Sequence, residues 1–561
     1  MTKKLINTVL FGSISLAAAA QGIGNEEITI TKEREVKLQK QNRVFEKIPV
    51  EEKTTSKREM VYTFFERKPV GIEEVEFKPN VVSPVDEAGK GKAKSTGYPN
   101  YLKIGGGNFG RFYAETFINS DQDQNLVFGL YGLHNAAKRG PIQGVNSGIN
   151  LDQIKADGKY HTNNFELRGD VGYERRNYHF FGYDTTRYTD YTKEDIRQRL
   201  NLFNFGVAFE NTNPKPVVDY TIKTKLNTLT DNFDAEEIDW GSQLNTTFPV
   251  IRDRLTAMLS AEAYVTQITD NYSSQIIKKR NLFRVEPSFN LDFNSFNAKL
   301  GFKAVNQYDQ INDINVTKGF PTATLTYKTR GLFYFFAGYD GDVIRNTLRT
   351  MFDENAWLRP QVEILNTTKE QEYFIGSRGD IVNNLTYNFK ASYGKFSNLY
   401  YFNVESDFDE NANRLNKFRI DYDDNLTDFV NVSAEFNYQP VEFWRTNLTA
   451  DYWYYETVDF EKPYHRPSFE GRIGNTFLVS DKIVSNIDFY YIGSTFAIDP
   501  FLIDDVKLPA ITDLNAEFTY LFSEQFSAFV KLNNIIGKNY QRYLYYPQQG
   551  LNFLAGINIS L

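Results

Sequence analysis

The chain has 561 residues, a net charge of -8, 24% charged and 16% aromatic residues, and no cysteine. Disulfides and thiolate metal sites are therefore excluded, and the charge is spread along the chain without the basic patch that nucleic acid requires. Mean hydropathy is -0.48 and no run of eighteen apolar residues occurs, which excludes a bundle of membrane-spanning helices.

Lys3 and Lys4 precede an apolar run from Leu5 to Ala20 that ends in four alanines. This pattern predicts a secretory signal peptide over 1–20, cut after Ala20. No cysteine follows, so a lipoprotein is not expected. An exported chain without spanning helices is soluble or a β-barrel, and the Tyr and Phe content (Tyr 36, Phe 47, Trp 4) favours the barrel, where such rings form interfacial girdles.

Residues 21–97 form a distinct segment. It opens on Glu27-Ile28-Thr29-Ile30-Thr31 and continues through a mixed-charge stretch with one apolar island, Val61 to Phe65. High charge and low apolar content predict an extended or disordered periplasmic segment. Gly89-Lys90-Gly91-Lys92 reads as a flexible linker.

From 98 to 561 the alternation of apolar and polar residues is nearly continuous, which is the strand signal. Phe165, Leu167, Val171 and Tyr173 oppose Glu166, Arg168 and Asp170. Ala434 and Phe436 oppose Glu435, Ile487 and Phe489 oppose Asp488, Ala516 and Phe518 oppose Glu517, and Val530 and Leu532 oppose Lys531. The expected lumen-lining groups are therefore Glu166, Arg168, Asp170, Glu435, Asp488, Glu517 and Lys531. Short turns are expected near Asp253, Asn294, Asn425, Asp481 and Ser523, and long loops over 136–158, 348–368, 493–510 and 537–549. Short periplasmic turns and long extracellular loops are the barrel pattern.

Removing 97 residues leaves 464. At roughly 20 residues per strand with its connection, this predicts an all-β, antiparallel transmembrane β-barrel of about 22 strands, with a range of about 20 to 24. The last strand alternates from Leu551 to Leu561 and must close the barrel against the first. Gly105 to Gly110 matches G-x-G-x-x-G, but no helix follows, so the glycines read as close approach at barrel closure rather than a dinucleotide loop. His134, His161, His179 and His465 are scattered, and no metal motif, cofactor site or enzyme is expected. Asp407, Asp409 and Glu410, like Asp421, Asp423 and Asp424, read as solvated loop carboxylates. Tyr543, Tyr545 and Tyr546, with the run Tyr452 to Tyr455, read as girdle aromatics.

The C-terminal runs Leu514-Asn515-Ala516-Glu517-Phe518-Thr519-Tyr520, Phe529-Val530-Lys531-Leu532-Asn533-Asn534-Ile535, Lys538-Asn539-Tyr540 and Gly550-Leu551-Asn552-Phe553 resemble the barrel end of TonB-dependent receptors. Glu27, Ile28, Thr29, Ile30 and Thr31 are similar to their TonB box, which implies strand addition to an energy-coupling protein. Gly556, Ile559 and Leu561 resemble the signal read by the barrel-assembly machinery, with Leu561 where Phe is usual. The resemblance implies a Gram-negative outer-membrane protein in contact with lipid that moves or receives a solute. Only about 65 residues separate Thr31 from the first strand, too few and too charged for that family's plug, so a plugless relative is expected. The alternative is a structural barrel subunit that holds lipoproteins or other envelope proteins.

Overall fold

The computed structural model describes residues 100–561 except 121–124, 187–190, 214–215, 253, 270–276, 330–332, 360–361, 383, 406–414 and 501–503. The signal peptide, the Glu27–Thr31 segment and the apolar island at 61–65 lie outside the described residues, as do Asp253, Asp407, Asp409 and Glu410.

Among the described residues, 22 strands form one antiparallel sheet, each paired with its neighbours in chain order. The sheet closes on itself. The first strand, Tyr101–Gly107, pairs with the last, Asn552–Ser560, in the register Tyr101 opposite Ser560 and Gly107 opposite Leu554. Closure leaves no unpaired edge, the only way a sheet can cross lipid with every backbone group satisfied. At a strand spacing near 4.8 Å and a tilt near 40°, such a ring is about 40 Å across.

The seam explains the glycine run. A Cβ on Gly107 would stand 1.9 Å from the Phe553 carbonyl oxygen, and one on Gly556 would stand 2.0 Å from that of Ile104. The two backbones approach too closely there for any side chain.

Alternation sets the two faces. Leu167, Val171 and Tyr173 are exposed on the outer wall, while Glu166 just before them and Glu174 just after are buried. On the closing strand Phe553 and Ile557 are exposed, whereas Asn552 and Leu554 are buried. The outer belt of large apolar side chains is one that only lipid covers. Aromatic rings in contact line part of its turn end, where Tyr160, Phe165, Phe209 and Tyr220 follow one another across four neighbouring strands.

Connections differ by end. At one end they are short, as at 294–295, 442–443, 481–482 and 522–525. Tyr101 and Leu561 lie at this end, where the Leu561 amide donates to the Asn100 carbonyl at 2.8 Å. At the other end they span 180–196, 345–366, 398–426, 457–468, 493–510 and 534–551. Three of these carry hairpins outside the barrel, such as Leu399–Val404 with Phe418–Asp423. A short α-helix, Leu348–Glu354, lies in another.

Two sequence expectations are corrected. The loop expected over 136–158 is only 138–148, because Leu126–Ala137 and Ile149–His161 pair with each other across it. The Asp-, Asn- and Lys-rich composition there belongs to strands that rise past the apolar belt. Asn425 is not in a short turn; it ends the 398–426 loop at the opposite end of the barrel, just before Thr427–Val441. The loops 180–196 and 457–468 were not anticipated.

Candidate functional site: a loop cap latched across the mouth

The long loops carry apolar residues without any strand period, and they bury them against one another. Their shared core includes Phe181, Leu348, Trp357, Tyr400, Phe418, Tyr543 and Tyr546, together with Leu200, Leu202 and Leu229 from the barrel wall. Tyr546 and Tyr400 have no exposed surface.

Three rings lock the centre. Trp357 stacks on Tyr546 with ring centroids 4.4 Å apart. Phe181 meets Tyr546 edge-on at 5.1 Å and Trp357 at 6.0 Å. Their loops leave the ring after its fifth, thirteenth and twenty-first strands, near thirds of a 22-strand circle. Loops rising from such points meet only by each reaching about 20 Å inward, the radius of the ring. Their contact therefore spans the mouth.

The central hydroxyls of this core are paired, as buried groups generally are, whereas the Trp357 indole Nε1 and the Tyr178 hydroxyl find no partner among the described residues. The Tyr546 hydroxyl donates to the Leu415 carbonyl at 3.0 Å, and the Tyr543 hydroxyl to that of Glu354 at 2.7 Å. His465 sits among them. Its Nδ1 donates to the Phe402 carbonyl at 2.7 Å, and its Nε2 accepts from the Leu544 amide at 3.3 Å. Both ring nitrogens are thus used by a neutral imidazole. Burial drives its pKa down to about 3, aided by the nearby Arg542 charge and opposed by the Phe402 hydrogen bond.

The segment 345–366 is fixed to the inner wall by charge. It leaves strand Phe333–Ile344 and crosses to strands five and eight places away. The buried Glu237 carboxylate accepts from the helix N-terminal amides of Leu348 at 2.7 Å and Arg349 at 3.3 Å. A carboxylate there satisfies donors that have no partner within the helix. Thr347 and Thr350 complete the end with a reciprocal capping box. Arg345 grips Asp239 through both terminal nitrogens, at 2.5 and 3.0 Å, over the Tyr264 ring at 4.2 Å. Arg280 pairs with Asp309 at 2.8 Å and donates to the Asn346 carbonyl at 2.9 Å. Arg176 reaches Asp353 at the far helix end at 2.6 Å. Beneath, Lys303 bridges Asp340 and Asp342 at 3.2 and 2.9 Å, and Lys369 joins Asp340 at 2.9 Å to Glu372.

The charged residues singled out from sequence fall into separate groups. Glu517 bridges Lys531 at 3.4 Å and Lys103 at 3.0 Å, with the Lys103 ammonium over the Phe529 ring at 4.2 Å. Glu166 pairs with Lys159 at 2.6 Å and with Arg168. Asp170 accepts from Asn204 at 3.1 Å, Asp488 pairs with Arg472 at 2.6 Å, and Glu435 accepts from Asn437 at 3.2 Å. All occupy positions alternate to the exposed apolar residues. The latch residues Glu237, Asp239, Arg280 and Arg345 escaped the sequence reading, although Glu237 and Asp239 alternate with Ile238 and Trp240 in the usual way.

Two other readings are corrected. Tyr543 and Tyr546 are core, not girdle, because their loop turns inward. In the run Tyr452 to Tyr455, Tyr452 and Tyr454 are exposed, but Trp453 stacks on the buried Tyr455 at 5.6 Å. Asp423 is not solvated: it is fully buried, accepting from the Thr427 hydroxyl at 2.7 Å and the Val458 amide at 3.1 Å. Among the described residues no cluster of three or more His, Asp or Glu could hold a metal ion.

The fold and cap define a membrane-spanning β-barrel whose mouth is covered by its own loops. No family model and no curated protein matches the sequence. Among solved structures the chain is similar to the siderophore receptor PirA from Acinetobacter baumannii, at 9% identity over 84% of this chain and 81% of that one, with a TM-score of 0.63. It is similar to the outer-membrane ferripyoverdine receptor of Pseudomonas aeruginosa bound to ferripyoverdine, at 10% identity over 83% and 72%, with a TM-score of 0.61. It is also similar to a mutant of the ferric enterobactin receptor PfeA from the same organism, at 11% identity over 83% and 81%, with a TM-score of 0.61. The likeness is one of fold, and the fold is the one the C-terminal resemblance implied.

Proposed function

We propose that this chain is an outer-membrane barrel of the receptor and transport type, which moves or receives a solute through a mouth gated by its loops. The observation that carries the reading is the latch at 345–366. It is held by a handful of ion pairs and hydrogen bonds, whereas the barrel is held by a closed backbone ladder, so the cap can be released without unfolding the wall. The loop end faces outward, the short turns face the periplasm, and 21–97 lies in the periplasm after removal of 1–20. Glu166, Arg168, Asp170, Glu435, Asp488, Glu517 and Lys531 line the path with paired charges. Glu27–Thr31 engages a TonB-type partner, Gly556, Ile559 and Leu561 are read during assembly, and no plug fills the lumen. The solved neighbours are receptors rather than enzymes, which supports a non-enzymatic role. Ferripyoverdine and ferric enterobactin, named for two of them, set the size class of solute to test first.

A second reading is a structural barrel subunit that holds envelope proteins or lipoproteins. The fully buried aromatic centre of the cap favours it, because a permanently closed mouth conducts nothing. Planar-bilayer conductance and uptake separate the two. The transport reading expects a cap that opens, and uptake that is lost in Ile28→Pro, since proline cannot donate to an added strand. A silent barrel, indifferent to Ile28→Pro and purifying with stoichiometric partners, would overturn it.

A further inference from the structure

The outer wall carries a feature that the lipid belt does not require. On the strands Ile149–His161 and Phe165–His179 the outward positions change from apolar to charged in one step, from Ile154 to Asp152 and from Tyr173 to Arg175. Ala114, His134, Asp152 and Arg175 stand side by side in register, and Asn177 and Arg199 continue the polar surface toward the loops. One outward position toward the turns lie Thr116, Gly132, Ile154 and Tyr173, of which Ile154 and Tyr173 are 61% and 42% exposed. This step is the loop-end boundary of the membrane on this side of the barrel.

The boundary is not flat. A groove of about 440 Å³ runs along it. Its floor is made by the small residues Ala114, Thr116 and Gly132, between Leu102 on one bank and Ile154 with Tyr173 on the other. Its head is made by His134, Asp152 and Arg175. Asp152 accepts from Nε and Nη2 of Arg175 at 3.1 and 2.9 Å, from Nδ2 of Asn150 at 2.9 Å, and lies 2.6 Å from Nδ1 of His134. The carboxylate is saturated by these partners and holds both bases against the wall. Nη1 of Arg175 and Nε2 of His134 have no partner among the described residues, and both side chains remain about two-fifths exposed. Arg199 adds a second cation one row nearer the loops, its Nε donating to Asn177 at 2.9 Å.

We propose that this groove binds one acylated, phosphate-bearing lipid of the loop-end leaflet, with the acyl chain on the Ala114–Thr116–Gly132 floor and the phosphate on Arg175 and His134. Arg175 and Arg199 outnumber the single Asp152 carboxylate, the head lies at headgroup height, and the floor below it is apolar, which together select an anionic lipid over a soluble anion or a neutral lipid. Basic side chains at membrane boundaries recognise phosphate in this way, and chain burial adds to the affinity with each methylene covered.

The test is native mass spectrometry of the full chain, released from micelles doped with equal amounts of dimyristoyl phosphatidic acid and dimyristoyl phosphatidylcholine. The expected result is a single phosphatidic acid adduct retained about tenfold over phosphatidylcholine, the size of one charge-assisted contact. Arg175→Gln, at an exposed side chain that packs no core, should bring the ratio close to one. Ala114→Leu, which fills the floor, should lower retention of both lipids. Equal retention of the two lipids by the natural protein, or an unchanged ratio in Arg175→Gln, would overturn the proposal.

Discussion

Acidification should open the cap through His465. In the closed cap this ring is neutral, and burial holds its pKa at about 3, against an ordinary 6.5. Opening the cap returns the ring to water and to its ordinary value. Between pH 6.5 and about 3 the open state therefore binds more protons than the closed one, so closure weakens as pH falls through that window and is fully present above it. From pH 7.5 to 5 the loss is about 2 kcal/mol, a roughly thirtyfold rise in the open population. Hydrogen exchange of the peptide around Tyr543 and Tyr546, corrected for intrinsic exchange rates, reads that population directly. His465→Gln, which stays neutral, should flatten the dependence. If exchange in the natural protein does not change over this range, or changes equally in His465→Gln, then His465 is not desolvated in the way its contacts imply.

Arg345→Ala removes the cation from a nearly buried Asp239 and should weaken the latch by about 3 kcal/mol. Open events in planar bilayers should become frequent, and adding Asp239→Asn should restore part of the closure, because the two changes touch one interaction. At the seam, Gly107→Val sets a Cβ against the Phe553 carbonyl and should lower the temperature at which the barrel loses its folded mobility in detergent gels; Gly158→Val, whose Cβ meets nothing within 4 Å, should not.

The wall was legible in the sequence because its chemistry is periodic. Lipid on one face and water or paired charge on the other force an apolar residue at every second position, and summing that pattern over the chain reached the observed strand number. The seam glycines were legible for a related reason, since Gly105 to Gly107 interrupt a strand where a side chain would otherwise stand. The cap was not legible. Tyr543, Tyr546, Trp357 and Phe181 sit in loops with no period, and an aromatic ring serves equally as girdle or core until the path of its loop is known. Asp239 illustrates the same limit for charge. It alternates like Asp488, yet one meets a neighbouring strand's arginine and the other an arginine from a loop more than a hundred residues away.

The cap divides its labour between two kinds of force, and this division makes gating possible. The Phe181, Trp357 and Tyr546 cluster supplies most of the attraction through buried aromatic area, which is non-directional and tolerates small shifts. The Arg345–Asp239 and Arg176–Asp353 ion pairs and the Arg280 bond to the Asn346 carbonyl fix where the segment 345–366 sits, because charge-assisted bonds lose energy steeply when geometry slips. Neither set shares a hydrogen bond with the ladder that closes Tyr101–Gly107 onto Asn552–Ser560. Releasing these contacts therefore leaves the wall's backbone ladder intact, and the aromatic centre, left without its guide, can separate into three loops that each remain anchored at their own third of the ring.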